Sequence, residues 1–458
     1  MASFLSKSTF MYGCQCPKRL YLHKKRPELA DPYDEQAMAI FARGTNVGIL
    51  AQERFPGGVD AQGDDPYPGF EAAKRTQAYL QAGHEVIYEA TFVYRNTLCA
   101  VDILVKTAEG WAAFEVKSTN SAKAQHAQDA ALQYYVLQGA GMPVERFYIL
   151  HFNNTYVRRG EIDVQELFAA TQVTKKCVEL QSWVDTQVGE LHKMLDKGKE
   201  PNLAMGTQCN SPYACNFQGY CSSLIAEETQ SVTSPFNTRI HFIDAKIQTF
   251  LSSFQYPLYF FDFETVMYGV PEYDESRPYQ QLPFQYSLHV IEAPGEEVKH
   301  LEYLAEAGSD PREGIIQAML RDLGTTGTIL AWYKSFECGR IKELARDFPS
   351  YETELLALLD RVDDLMIPFQ SGWVNSEAFG GSSSIKNVLP VMVPELSYDA
   401  LEIKEGNTAS FQYSQLASMP PDTAQQTREA LLAYCKLDTL AMVRIWEKLL
   451  EESMDHGR

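Results

Sequence analysis

The chain has 458 residues, of which 45% are hydrophobic, and a formal net charge of −20. This length and apolar content suffice for two hydrophobic cores, so we expect two domains. The acidic charge argues against a protein that coats nucleic acid in bulk, but it is compatible with a nuclease whose carboxylates are neutralised by metal ions. No apolar run reaches the length of a membrane span and the first residues lack a secretion signal, so we expect a cytoplasmic protein without membrane contact.

The first half of the chain, residues 1–225, predicts an α/β domain. Apolar positions recur at helical spacing through residues 33–55, and the Gly-, Asp- and Pro-rich residues 55–69 predict a loop. The next predicted elements are three strands, a helix and a strand, at residues 85–94, 98–106, 111–118, 129–141 and 146–153. This order predicts a mixed sheet flanked by helices.

Residues 226–257 are predicted to be a linker, with the polar stretch 226–235 as its hinge. Residues 258–458 predict a second α/β domain. Its strands are expected near residues 258–264, 284–291 and 328–333, with helices between them.

The apolar strand YFFDFET carries Asp262 and Glu264 two residues apart, so both carboxylates lie on one face. Two like charges held so close require a cation. Tyr434 and Asp438, four apart in an apolar helical stretch, share a helix face and can close the same site. The pattern indicates a metal-dependent reaction on phosphate esters.

In the first half, Asp102 lies in an apolar strand, and Glu115 and Lys117 lie two apart on the next strand. These groups can hold a magnesium ion, orient water and offset charge on a phosphate. A surface salt bridge on a hairpin is the alternative interpretation.

Nine cysteines, an odd number, indicate a reducing compartment with free or metal-bound thiols. Cys209, Cys215 and Cys221 are evenly spaced in a polar, turn-rich segment, which is typical of a metal centre that takes a fourth ligand from elsewhere. Cys16 is the best candidate and Cys14 the alternative. The spacing leaves zinc and an iron-sulfur cluster open. The remaining cysteines are predicted to be core residues, namely Cys99, Cys177, Cys338 and Cys435.

The basic segment at residues 16–26, CPKRLYLHKKR, has two interpretations. It is either a track for nucleic acid or a solvated basic face of a helix.

The layout of residues 5–222 resembles RecB-like PD-(D/E)xK nucleases with an iron-sulfur staple, including the AddB nuclease domain and CRISPR-associated RecB-like exonucleases. The resemblance implies a restriction-endonuclease-like mixed sheet, metal binding by Asp102 and Glu115, and Lys117 as the catalytic lysine. It also implies a [4Fe-4S] cluster on four cysteines, namely Cys16, Cys209, Cys215 and Cys221. The glutamine and tyrosine of these families are matched by Gln133 with Tyr134 or Tyr135, and their upstream histidine is replaced by Gln52 or Glu53.

The second half resembles DEDDy 3′-5′ exonucleases, which have an RNase H-like fold. The resemblance implies that two Mg²⁺ or Mn²⁺ ions are held by four carboxylates, namely Asp262, Glu264, Glu337 and Asp438. Tyr434 is then the residue that orients the attacking water. Tyr333 stands where these families have an asparagine, Asp364 falls at a further acidic position, and residues 381–390 resemble the substrate-side segment.

The two halves together resemble bacterial and phage-associated proteins whose domain family is known only as a conserved domain of unknown function. The activity that the motifs imply is metal-dependent trimming of DNA ends, with DNA preferred over RNA as the partner. The alternative is a nucleic-acid-binding factor of repair or phage defence, with one or both sites degenerate, that acts with a helicase or other partner. The chain has no helicase P-loop, so unwinding would come from that partner.

Overall fold

The computed structural model of the protein describes residues 4–33, 35–65, 67–228 and 239–455. The chain divides into two compact units, the first formed by residues 1–232 and 269–279 and the second by residues 233–268 and 280–458. Both units combine helices with sheets, which confirms the predicted α/β class. Within the described ranges, no helix has the length and apolar character needed to cross a membrane.

The first unit is built on a seven-stranded sheet in the order β2-β3-β4-β5-β6-β7, with β1 pairing alongside β4. Its strands are β1 (Leu5–Ser6), β2 (Val59–Asp60), β3 (Val86–Tyr94), β4 (Thr97–Thr107), β5 (Gly110–Lys117), β6 (Val144–Phe152) and β7 (Phe168–Gln172). Its α-helices are α1 (Lys7–Gln15), α2 (Pro17–Lys25), α3 (Glu35–Gln52), α4 (Phe70–Gln81), α5 (Ala124–Gly139), α6 (Val164–Leu167), α7 (Thr174–Glu179), α8 (Gln181–Lys197) and α9 (Gln218–Glu228).

The centre of this sheet is mixed because β3, β4 and β5 are antiparallel neighbours whereas β5 and β6 run parallel. Helix α5 supplies buried Ala130, Leu132 and Val136 to the core that contains Val101 of β4. A helix that is buried on much of its surface has apolar residues on most of its faces, and this pattern allowed α5 to be predicted from the sequence.

Residues 269–279 follow β9 in the chain but belong to the first unit. Arg158 donates through Nη1 to the carbonyl oxygen of Pro271 at 3.0 Å, and the hydroxyl of Tyr279 donates to the carbonyl oxygen of Ser118 at 2.6 Å. These polar contacts, with the ring of Tyr279 against Phe152, hold the segment in place.

The second unit is built on a five-stranded sheet in the order β11-β10-β9-β12-β13, with β8 and β14 forming a separate pair. Its strands are β8 (His241–Phe242), β9 (Leu258–Met267), β10 (Gln281–Ile291), β11 (Lys299–Leu304), β12 (Thr328–Ala331), β13 (Val362–Asp364) and β14 (Val374–Asn375). Its α-helices are α10 (Asp244–Leu251), α11 (Arg312–Leu323), α12 (Lys334–Asp347), α13 (Glu352–Leu359), α14 (Ile367–Gln370), α15 (Ile385–Met392), α16 (Gly406–Gln415) and α17 (Pro421–Asp455).

Part of the predicted linker, residues 226–257, is folded. It contains β8 and α10, and Ile247 and Leu251 of α10 are buried in the second unit's core. The two side chains are four residues apart and so share one helix face, a short signal that the polar surroundings obscured. The predicted hinge, residues 226–235, lies outside the described residues from residue 229 onward.

The central strand β9 separates two cores. Phe261 and Phe263 enter the core beneath α11 and α12, whereas Leu258 and Phe260 enter the core that α17 covers. Because side chains alternate along a strand, Asp262 and Glu264 continue the face that bears Leu258 and Phe260. The acidic pair therefore lies where the packing between β9 and α17 ends.

Candidate metal centres

In the second unit, β9 and α17 bring acidic side chains together. The ligand atoms of Asp262, Glu264 and Cys435 all lie within 4.8 Å of one another. Cys435, which sequence reasoning assigned to the core, is fully buried and donates through Sγ to the carbonyl oxygen of Asp262 at 3.9 Å.

Tyr434 and Asp438 lie one turn apart on α17, and both face the acidic pair. A cavity of about 200 Å³ is lined by both of them together with Asp262 and Glu264. Four of the five predicted site residues of this half therefore border one cavity.

The carboxyls of this cavity resist ionisation. Burial raises the pKa of Asp262 and of Glu264 well above the ordinary values, and the negative charge of Asp438 raises both further. Burial also raises the pKa of Asp438, to about 6, although hydrogen bonds from tyrosine hydroxyls oppose the rise. Removing several protons at once requires a compensating positive charge.

Glu337, the fifth predicted residue, lies on the first turn of α12 and is 2% exposed. Its burial raises its pKa to about 8, and its charge contributes to the raised pKa of Asp262. Its Oε2 atom has no hydrogen-bond partner among the described residues. Glu337 is thus a neighbour of the acidic pair but is not among the residues that line the cavity.

Asp364, the further acidic position named in the sequence analysis, forms hydrogen bonds with backbone amides and does not line the cavity. Its two oxygens accept hydrogen bonds from the amides of Tyr333, Lys334 and Met366 at 3.0 to 3.1 Å. Tyr333 has a left-handed backbone, with φ of 74°. The carboxylate of Asp364 therefore holds the turn that aims α12 and Glu337.

Two further side chains belong to this site, namely Tyr398, which sequence reasoning missed, and Lys386, which lies in the predicted substrate-side segment at residues 381–390. Tyr398 donates its hydroxyl to Oδ1 of Asp438 at 2.5 Å. The ammonium group of Lys386 lies 5.7 and 5.6 Å from the ring centres of Tyr398 and Tyr434, and its charge opposes the rise in the pKa of Glu264. Tyr398 lies in a loop without periodicity, so only its distance from Asp438 in the fold reveals it.

The first unit contains a second acidic centre, across β3, β4 and β5. Glu115 is 1% exposed, and its Oε1 accepts from the ammonium of Lys117 at 2.6 Å while its Oε2 accepts from the amide of Gln133 at 2.6 Å. Asp102 accepts through Oδ2 from the backbone amide of Val116 at 2.6 Å. All four residues named from the motif lie here, and the burial of Glu115 excludes the surface salt bridge considered above.

Three further residues belong to this centre. Lys7 places its ammonium 2.7 Å from Glu115 Oε1 and 3.8 Å from Asp102 Oδ1, and Asp129 accepts from Lys117 at 2.6 Å. The pairs Tyr88–Ile103 and Ala90–Val101 bracket Glu89 and Asp102, so these two carboxyls lie opposite each other. Glu89 itself has a left-handed backbone, with φ of 52°.

The lysine side chains of this centre compensate the charge of Glu115 more fully than the charges of Asp102 and Glu89. Burial opposes the ionisation of Glu115, but the ammonium groups of Lys117 and Lys7 hold its pKa well below the ordinary value. Burial and the charge of Glu115 raise the pKa of Asp102 to about 7, and burial and the charge of Asp102 raise that of Glu89 to about 8. Asp102 and Glu89 are the carboxyls that lack full compensation.

The tyrosine expected beside Gln133 has other contacts. The hydroxyl of Tyr135 donates to Oδ1 of Asp185 at 2.8 Å, and Tyr134 packs against the hydrophobic core. Only the glutamine of the expected pair therefore contacts the acidic centre.

The predicted cysteine quartet lines one small cavity of about 20 Å³, formed by Cys16, Cys209, Cys215 and Cys221. Cys14 lines a different cavity, so the structure favours Cys16 as the fourth member. Burial raises the pKa of the Cys215 and Cys221 thiols, whereas the charge of nearby Lys18 lowers that of Cys221. Four thiols with basic neighbours are a donor set that fits zinc or an iron-sulfur cluster.

The basic segment at residues 16–26 forms α2, but it is not a fully solvated face. Lys18 and Arg19 are 7% and 5% exposed. Lys18 pairs with Glu200 at 3.0 Å, and Arg19 donates to Gln15 at 2.6 Å. Both side chains line the cavity of the cysteine quartet, and Arg19 also lines the cavity that contains Cys14.

Residues 259–384 match a family described as a domain of unknown function, DUF2779. The match includes Asp262, Glu264 and Glu337 but ends before Tyr434 and Asp438. No curated protein and no solved structure matches the chain.

Proposed function

We propose that this protein is a metal-dependent nuclease that hydrolyses phosphodiester bonds at DNA ends, with the carboxylate centre of the second unit as its principal active site. The observation that carries the proposal is the cluster of Asp262, Glu264 and Asp438 around one cavity, with Glu337 beside it. These buried carboxyls raise one another's pKa, and among the described residues none of the four forms a salt bridge. Such a site is completed by cations.

The four carboxylates are the ligands we assign to two divalent ions, Mg²⁺ or Mn²⁺. Divalent ions held by these residues would provide Lewis-acid chemistry for water activation and for the charge on the leaving oxygen. Tyr434 is placed to orient the attacking water, and Tyr398 to hold Asp438. Hydrolysis joins the water oxygen to phosphorus and breaks the bond to the 3′ oxygen, which leaves a 3′-hydroxyl and a 5′-monophosphate.

The topology supports an RNase H-like fold for this unit. The first strand of its main sheet, β9, is central. On one side β9 pairs antiparallel with β10, which pairs antiparallel with β11. On the other side β9 pairs parallel with β12, which pairs parallel with β13. This arrangement is the one expected of RNase H-like exonucleases, and α17 carries the last two motif residues against it.

For the first unit we propose a RecB-like PD-(D/E)xK fold with Asp102 and Glu115 as metal ligands and Lys117 as the catalytic lysine. One observation favours the alternative, a nucleic-acid-binding module with a degenerate site. Lys7 places an ammonium between Asp102 and Glu115, the position that a cation would take. In that case the protein acts in repair or phage defence with a helicase or other partner.

For the cysteine quartet we propose a [4Fe-4S] cluster, with zinc as the alternative. The four thiols around one cavity are a ligand set that suits either centre. The order of Cys16, the Asp102, Glu115 and Lys117 motif, and the three later cysteines resembles that of RecB-like nucleases with an iron-sulfur cluster, and this resemblance supports the cluster.

The proposal is tested by cleavage and binding assays in parallel, on labelled single- and double-stranded DNA and RNA with Mg²⁺ or Mn²⁺. Asp262→Asn is expected to abolish most cleavage and to leave binding intact, and Asp102→Asn reports the first unit separately. Glu302→Gln, on the exposed edge strand β11, is the matched control. Binding without cleavage by the unmodified protein would favour the nucleic-acid-binding factor.

A further inference from the structure

The first unit contains a cavity of about 320 Å³ that no motif predicted. Lys7, Lys117 and Asp129 line it and also belong to the acidic centre, so the cavity opens directly beside Glu115. Its volume lies at the lower end of the range for small-molecule sites, which suits one nucleotide.

The lining of this cavity includes aromatic and apolar side chains. Trp183 of α8 is held edge-on against Phe10, with ring centres 6.0 Å apart, and it stands with Met11 and Tyr12 of α1 in the lining. Tyr213, from the loop between Cys209 and Cys215, is 58% exposed. Flat rings at an open cavity are surfaces on which a nucleobase stacks.

Polar groups in the lining are left without partners. Arg19 is 5% exposed and stacks on Tyr12, with its guanidinium 4.0 Å from the ring centre, yet its Nε atom has no hydrogen-bond partner among the described residues. The side chains of Gln125 and Gln128, three residues apart on α5, form no hydrogen bond with any described residue. A buried guanidinium can donate hydrogen bonds to the oxygens of a phosphate. The two free amides can donate to and accept from the edge of a base.

The loop that carries Tyr213 is fixed by its backbone. Gln15 donates through Nε2 to the carbonyl oxygens of Gln208 and Tyr213, both at 2.7 Å. The tyrosine ring is therefore presented by a tethered loop, and its removal leaves those contacts in place.

We infer that this cavity binds one unpaired nucleotide of a nucleic-acid strand, with the base against Trp183 and Tyr213 and the phosphate toward Lys7 and Arg19. The inference rests on the proposed function and deepens it, because it makes the first unit a reader of single-stranded ends. A base inside a duplex is stacked on both faces and paired along one edge, so it cannot enter such a cavity.

The test measures the affinity of the full-length protein for fluorescent dT12 and for a blunt hairpin duplex, in buffer without divalent metal. Binding is thereby separated from cleavage, so a negative result here leaves the proposed nuclease activity untouched. Tyr213→Ala is expected to weaken dT12 binding about tenfold, as loss of one stacking surface does, and to leave duplex binding unchanged. Tyr67→Ala removes a tyrosine that is 81% exposed and outside the cavity, and it serves as the matched control.

A blocking variant provides a second route. Ser8 lies exposed in the lining, so Ser8→Tyr is expected to reduce dT12 affinity at least tenfold whereas Ser8→Ala is neutral. Free dTMP is expected to compete with dT12, because the proposed occupant of the cavity is a single nucleotide. Unchanged dT12 affinity in both Tyr213→Ala and Ser8→Tyr, or an equal loss for dT12 and the duplex, overturns the inference.

Discussion

Tyr398 donates its hydroxyl hydrogen to Oδ1 of Asp438 at 2.5 Å, although the two residues lie 40 positions apart in the chain. This bond stabilises the ionised carboxylate, and it opposes the rise in pKa that burial imposes on Asp438. In the metal centre proposed above, Asp438 would have to lose its proton before it binds a cation, so Tyr398 would lower the pH at which that centre accepts metal.

Tyr398→Phe is accordingly expected to raise the pKa of Asp438 above its value of about 6. A hydrogen bond to a charged group contributes about 1.5 kcal/mol, which corresponds to roughly one pH unit. The midpoint pH of Mn²⁺ binding, followed by electron paramagnetic resonance, should move up by that amount. Tyr351→Phe, which removes a hydroxyl bonded to Glu313 at 3.1 Å on the surface, should leave the midpoint in place.

Stability without metal should decline as pH rises, because the pKa of Glu337 is raised to about 8 by burial. A carboxyl with a raised pKa in the folded state favours folding below its unfolded pKa, near 4, and loses this contribution as pH rises toward 8. We expect the melting temperature to fall by about 5 °C or more between pH 5 and pH 8.

Glu337→Gln should make that fall smaller, since the amide does not titrate. Glu354→Gln on the exposed face of α13 is the control and should follow the unmodified protein. Equal pH dependence in all three proteins would show that Glu337 does not carry the charge penalty.

The iron-sulfur cluster proposed for the cysteine quartet should absorb visible light. Anaerobically purified protein should be brown, absorb near 400 nm as iron-sulfur proteins do, and lose colour and bound iron in Cys16→Ala and Cys215→Ala. Cys14→Ala should keep both, because Cys14 lines the other cavity. Colourless protein with one equivalent of zinc would contradict the cluster and favour the alternative metal.

Lys7 supplies positive charge beside Asp102 and Glu115 in the first-unit centre. Lys7→Met leaves the buried carboxylate of Glu115 with less compensation, which should lower the free energy of unfolding by about 3 kcal/mol without metal. In an Asp262→Asn background, Mn²⁺ should recover this loss, because the vacated position between Asp102 and Glu115 suits a cation. Lys25→Met, at an exposed position of α2, controls for loss of charge. If Mn²⁺ does not restore the stability of the Lys7→Met protein, the first-unit centre does not bind metal.

The strands and helices that carry the motifs were predictable because they are long and periodic. The predicted strands at residues 85–94, 98–106 and 111–118 correspond to β3, β4 and β5, and no end differs by more than one residue. Likewise the alternation of YFFDFET placed Asp262 and Glu264 on one face, and helical spacing did the same for Tyr434 and Asp438.

The rest of each site depends on contacts that no local pattern records. Lys7 reaches Glu115 from 108 positions away, and Tyr398 enters from an irregular loop. Glu89 looked like an ordinary strand residue, and the left-handed turn that sets it opposite Asp102 is not visible as a change of period. The folded part of the predicted linker was not predicted because β8 and α10 are short and surrounded by polar residues.

The central claim is that the second-unit carboxylates hydrolyse phosphodiester bonds. Its most direct test uses Asp102→Asn protein, so that the second centre acts alone, on a single-stranded DNA labelled at its 5′ end with Mn²⁺ present. We predict stepwise shortening from the 3′ end with release of nucleoside 5′-monophosphates, and loss of that release by at least a hundredfold when Glu264→Gln is added. Equal release by the single and double variants would contradict the account.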